Sequence, residues 1–226
     1  MSNFCLIDHI FLIIQLINII RFLTIGFKTM SWYCEYANHN EAHKIYHDTE
    51  YGFPLIGENK YCDERYLFEL QSLELFQAGL SWDLILKKRK TIVSAFENFN
   101  VDIVAAYTKE DIKRLLHDPG IIRNKLKVNS IIENAKRIKK LRECNDGFSS
   151  WIADNHPLTR EEWTKLFRKH FKFMGSEIVN EFLMCIGYLP GSHHEKCLTF
   201  KKIAKLNPPW MEAIEKNFNY KNKTRY

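Results

Sequence analysis

From Asp63 onward the apolar residues fall at helical spacing: Leu67, Leu70, Leu73 and Leu75 in one segment, then Leu84, Ile85, Ile92, Val93 and Phe96 in the next. No segment sustains the alternation of a half-buried strand. Start signals agree with the helical reading. Ser81 precedes the second of these helices, Thr108-x-x-Asp111 and Thr159-x-x-Glu162 have the form of capping boxes, and Ser176 stands where a cap belongs for a helix through Phe182 to Ile186. Breaks fall at Gly79, Pro119-Gly120, Asn145-Asp146-Gly147, Pro157 and Pro190-Gly191. The pattern predicts an all-α domain of seven or eight short helices spanning residues 30–215.

The two ends read differently. Residues 31–62 are less periodic and rich in His and Tyr, and the tail 216–226 is basic and expected to fray. Ile10 to Phe27 is apolar enough to suggest a membrane segment, but its 18 residues include Gln15, Asn18 and Arg21. A signal peptide fits poorly, because Asp8 sits where a basic region belongs and no cleavage site follows. The preferred expectation is that residues 1–29 are an upstream extension of the reading frame and that translation starts at Met30. N-terminal sequencing of the native protein tests this.

With 226 residues, 46% of them hydrophobic and 14% aromatic, the chain can fill a core, which excludes a disordered tail. A net charge of +6 admits a polyanionic partner without requiring one. The six cysteines, Cys5, Cys34, Cys62, Cys144, Cys185 and Cys197, are scattered, unlike a secreted disulfide scaffold. They predict reduced thiols in the cytoplasm, with metal binding as the exception.

Three constellations carry chemistry. "GSHHEKC" (Gly191 to Cys197) places His193 four residues before Cys197, and zinc prefers four such ligands, often two from each of two distant segments. Cys34 and His47 are candidate partners, with His39 and His43 as competitors and His194 as a rival to His193. "LLHDPGIIRNKLK" (Leu115 to Lys127) reads as a helical hairpin in which a new helix opens at Ile121 directly after the Pro-Gly turn, with backbone N–H groups placed for a phosphate. In "LELFQAGLSWDLILKKR" (Leu73 to Arg89), Glu74 lies on an apolar stripe and Trp82 follows a break. A buried carboxylate beside an aromatic plane suits a flat cationic ligand such as an alkylated purine.

Together the segments "YHDTEYGFP" (Tyr46 to Pro54), "QAGLSW" (Gln77 to Trp82) with "ILKKR" after it, "GIIRNKLK" (Gly120 to Lys127) with "IIENA" (Ile131 to Ala135), and "FKFMG" (Phe171 to Gly175) resemble the DNA-3-methyladenine glycosylase I family of the helix-hairpin-helix superfamily. The motifs occur in family order over roughly Trp32 to Cys197. The resemblance implies a helix-hairpin-helix glycosylase fold and a structural Zn2+ held by Cys34, His47, His193 and Cys197, tying the N- and C-terminal segments together. It also accounts for Met30 as the start, since the family's first ligand Cys lies a few residues from the initiator.

The resemblance further implies a base pocket of Glu74, Tyr46 and Trp82, with Glu74 as the catalytic candidate, and Gly79 and Leu80 filling the gap that a flipped base leaves. Gly120, Ile121, Arg123 and Lys127 would grip the backbone of double-stranded DNA carrying alkylated bases. The implied reaction is monofunctional hydrolysis of the N-glycosidic bond, since no motif for a Schiff-base lysine is present. A cytoplasmic monomer without a stable protein partner is expected. His43 replaces a pocket tyrosine, Tyr36 and Tyr51 replace tryptophans, and Asn155 to His170 replaces a Ser/Thr-rich stretch, as in a divergent branch. The competing readings are a non-catalytic zinc protein that binds damaged or distorted DNA, and a membrane-associated protein anchored by residues 10–27.

Overall fold

A computed structural model describes residues 29–54 and 64–220; the apolar stretch 10–27 and the last six residues of the tail lie outside the described residues. All regular structure among the described residues is helical: α1 (Thr29–Tyr36), α2 (Glu41–Thr49), α3 (Glu64–Gln77), α4 (Trp82–Ala95), α5 (Val101–Ala105), α6 (Lys109–His117), α7 (Lys125–Asn145), α8 (Phe148–Asp154), α9 (Arg160–His170), α10 (Ser176–Cys185), α11 (Leu198–Ala204) and α12 (Pro209–Glu215). Two 3-10 turns, Ala37–His39 and Glu97–Phe99, join them. No helix among the described residues is long and apolar enough to cross a membrane.

The all-α expectation holds, but there are more helices than the seven or eight predicted, because short elements escape a periodicity search. The connection after α4 is an example. Glu97, Asn98 and Phe99 all have positive φ, and the Asn100 side chain accepts from the Asp102 and Ile103 amides to start the five-residue α5. The buried Phe99 stacks on Phe96 with ring centroids 5.4 Å apart, so packing holds a turn that few side chains favour.

α3 is the central helix. Leu67, Phe68, Leu70 and every residue from Gln71 to Phe76 are buried, so it is enclosed on all sides rather than amphipathic. It packs against α4, α7, α8 and α10. Glu74 is therefore buried by its position in the fold, not by a local quirk.

The predicted starts are largely observed. Ser81 caps α4 through the Leu84 amide, and Thr108 and Thr159 close capping boxes with Asp111 and Glu162. Ser176 is a correction: Gly175 is the cap of α10, while Ser176 is its first residue and its hydroxyl accepts from Arg160 Nε. The hairpin helix is another. α7 begins at Lys125, capped by Asn124, and residues 118–124 are an irregular turn instead of a helix opening at Ile121. Asp118 Oδ1 accepts the Gly120 amide at 2.6 Å, and the Ile121 side chain is drawn into the core, which fixes the turn.

Candidate functional site

α2 carries Tyr46 and His47 as adjacent residues, and both are buried. They serve two neighbouring sites. The helix ends at Thr49, and Gly52 turns the chain back with φ +86°, a conformation that favours glycine. A Cβ at Gly52 would lie 2.4 Å from Ser192 Oγ, so only glycine lets Tyr51 and the 191–193 segment approach this closely.

The first site is a cluster of Cys34, His47, His193 and Cys197, whose ligating atoms all lie within 4.8 Å of one another. His193 Nδ1 is 3.0 Å from His47 Nε2 and 3.7 Å from Cys34 Sγ, and Cys197 Sγ is 3.7 Å from His47 Nε2. Tetrahedral bonds of about 2.0–2.3 Å place ligands about 3.3–3.8 Å apart, so the four atoms fit one metal ion closely. The other ring nitrogens are already engaged. His193 Nε2 donates to the Tyr51 carbonyl at 2.6 Å, and His47 Nδ1 pairs with Asp48 Oδ1 at 2.7 Å.

Asp48 is held in turn by Lys44 and Thr199. Although burial works against its ionisation, hydrogen bonds from Lys44, His47 and Thr199 hold its carboxyl well below the usual range. Such outer partners fix the ring orientation and raise ligand basicity. Burial lowers His193 to about 4, which keeps its imidazole neutral and its Nδ1 lone pair free. His39, His43 and His194 are not part of the cluster.

The second site is a cavity of about 1060 Å³, lined among others by Tyr46, Glu74, Gly79 and Trp82. The structure thus brings the three residues of the expected pocket to one cavity. Tyr46 and Trp82 have ring centroids 5.1 Å apart, and Tyr46 stacks on Tyr51 at 5.6 Å. The Tyr46 hydroxyl donates to Cys185 Sγ at 3.3 Å. Burial, reinforced by the charge of Glu181, raises the Glu74 carboxyl well above the usual carboxylate range. His43 does not line this cavity: its ring lies against Tyr33 and Tyr36, 3.8 Å from Asp83.

Sequence reasoning missed Tyr33 and Glu181, which also line the cavity. Glu181 carried a readable signal, because it sits among the apolar Ile178, Val179, Phe182 and Leu183 as Glu74 does among leucines.

At the rim, Gly79 adopts φ +79° with open space around it, and Leu80 is exposed. Arg123 is exposed on the 118–124 turn. Lys127 is placed differently from a solvent-facing phosphate contact. It is buried, and its Nζ donates to the Phe76 and Ala78 carbonyls at 2.8 and 2.6 Å. It therefore caps the C-terminus of α3 and holds the loop that presents Gly79 and Leu80. Lys127→Met is expected to lower unfolding free energy by about 1–3 kcal/mol in urea titration, since it leaves buried carbonyls unpaired. Arg123→Met should stay within about 0.5 kcal/mol.

A family model described as methyladenine glycosylase matches residues 36–165. The chain is 32% identical over 186 residues to DNA-3-methyladenine glycosylase 1 of Escherichia coli (strain K12), covering 74% of this chain and 96% of that one. It is 31% identical over 187 residues to DNA-3-methyladenine glycosylase of Haemophilus influenzae, covering 74% and 97%. Among solved structures it is similar to a Tyr-to-Phe variant of 3-methyladenine DNA glycosylase I in complex with 3-methyladenine, with a TM-score of 0.63, 28% identity, and coverage of 71% of this chain and 92% of that one.

Proposed function

The chain belongs to the methyladenine glycosylase family, and on that premise we propose that it hydrolyses the N-glycosidic bond of 3-methyladenine in alkylated DNA, releasing the free base and leaving an abasic site. The observation that carries this reading is Glu74, an acid on the enclosed central helix that faces a cavity walled by Tyr46 and Trp82.

The chemistry follows from the lesion's charge. Methylation at N3 makes the base cationic and weakens its stacking and pairing, so flipping it out of the duplex costs less than for an ordinary base. Stacking between the Tyr46 and Trp82 rings and attraction to Glu74 hold it. As the bond from the anomeric carbon breaks, its electron pair moves to the base nitrogen and the base leaves neutral. Positive charge then develops on the sugar, where Glu74 stabilises it. Water adds to the anomeric carbon and gives up a proton, with the carboxylate as acceptor.

Gly79 and Leu80 fill the vacated gap, while the backbone of the 118–124 turn and Arg123 grip the phosphates in the manner of a helix-hairpin-helix. Lys127 serves DNA binding through the loop it supports. The protein acts as a monomer on double-stranded DNA in the cytoplasm, without a stable protein partner. A single Zn2+ on Cys34, His47, His193 and Cys197 is structural, because four protein ligands leave no open position.

Incubation with methylated DNA and chromatography of the released bases tests the activity: free 3-methyladenine is expected, and no release above the Glu74→Gln control overturns it. Binding to an abasic-site analogue without base release would instead identify the non-catalytic zinc protein. For the metal, His193→Ala is expected to lose zinc on dialysis and His194→Ala to keep about one equivalent, as read by elemental analysis.

A further inference from the structure

The cavity holds a second carboxylate that the hydrolysis above does not use. Glu181 lies on α10 and lines the same cavity as Glu74 from a different helix. Its position is set: Oε2 accepts from the Tyr51 hydroxyl at 2.9 Å, and Tyr51 packs against Tyr46 and Tyr33. The Tyr51 carbonyl is itself held by His193, so the metal cluster anchors the residue that orients Glu181.

Burial pushes the Glu181 carboxyl up, and burial together with Glu181 pushes Glu74 up. The other charged groups acting on Glu181 are Glu177, which raises it, and Arg160, which lowers it. Arg160 is the one cation among the described residues lining the cavity, and its guanidinium pairs with Glu177. Two acids thus share a desolvated space whose wall supplies no free cation of its own.

We infer that Glu181 is a specificity-determining residue, which with Glu74 makes the pocket favour a positively charged alkylpurine over a neutral purine of similar shape. The identity of the occupant rests on the function proposed above. A neutral purine gains stacking on Tyr46 and Trp82 but does nothing for the repulsion between the acids. A cationic one gains the same stacking, and its charge compensates the two carboxyl groups and favours their ionised forms. Charge selection then comes from what the wrong occupant leaves uncompensated, as much as from what the right one contacts.

The probes are the permanent cation 3,9-dimethyladeninium and the neutral free base 3-methyladenine, titrated calorimetrically into the full-length, metal-loaded protein. Glu181→Gln is expected to weaken the cation about tenfold, or about 1.4 kcal/mol, and to leave the neutral base within about twofold. Glu181→Asp, which keeps the charge, should retain the cation preference. Equal weakening of both probes by Glu181→Gln, as a merely structural role would give, overturns the inference, and so does no change in either. Base release from methylated DNA by the unmodified protein is measured separately. Its absence would overturn the proposed function, while the charge selectivity is decided by the free ligands alone.

Discussion

Glu74→Gln is expected to slow base release by about a hundredfold or more, the size of effect seen when one preorganised electrostatic group is removed from a transition state. The substitution keeps the size of the side chain and its place on the enclosed α3, so the loss reports charge rather than shape. The same variant should be more stable than the parent at neutral pH. The folded-state pKa of Glu74 lies well above 4.5 because of burial and then Glu181, so the native state holds a proton that the unfolded chain gives up. Stability of the parent therefore falls as pH rises from about 4.5 towards that raised pKa. Glutamine cannot ionise, and its stability curve should lack this decline. Single-turnover release kinetics and thermal melts across that pH range read the two effects independently. A variant both slower and less stable at neutral pH would mean that Glu74 is a packing residue.

Removal of the metal proposed for the Cys34, His47, His193 and Cys197 cluster is expected to produce the largest loss of stability. A ligand that binds only the folded state and is present at a thousand times its dissociation constant contributes about 4 kcal/mol. For a chain of this size that corresponds to a fall in melting temperature of about 8–16 °C. Chelation and Cys34→Ala should give similar shifts, and adding zinc back should restore only the chelated sample. Activity should fall with the metal although no ligand touches the base, because Tyr46 adjoins His47 and Tyr51 is held by His193. An unshifted melt after verified metal loss would show that the cluster is no staple.

The helical class, the capping boxes at Thr108 and Thr159 and the break at Gly79 were legible because each is written in a few neighbouring residues with a direct backbone role. The four cluster residues were harder. Their spacing alone left His39, His43 and His194 as competitors, and it took the family resemblance to select the set that the fold brings together. Lys127 shows where sequence misleads. A lysine in a basic stretch reads as solvent-facing, and only the tertiary fold reveals two carbonyls waiting at the end of α3. Glu181 was overlooked for a different reason: a carboxylate among the apolar residues of α10 signals burial, but only the tertiary fold shows that this part of α10 opens on the cavity containing Glu74.

The cluster also bears on how the protein is made. His47 and Cys197 are 150 positions apart in the chain. At about 5–20 residues per second, His47 leaves the ribosome about 8–30 s before Cys197. Throughout that interval the wall of the cavity carrying Tyr46 and Tyr51 rests on α4, through Tyr46 against Trp82 and Glu50 paired with Arg89, without its tie to the C-terminal segment. The tie between the two ends of the domain is consequently among the last contacts to be assembled, and a chain released before Cys197 lacks it. An unfinished copy thus lacks the fourth member of the cluster, and the complete staple is reserved for molecules translated through Cys197.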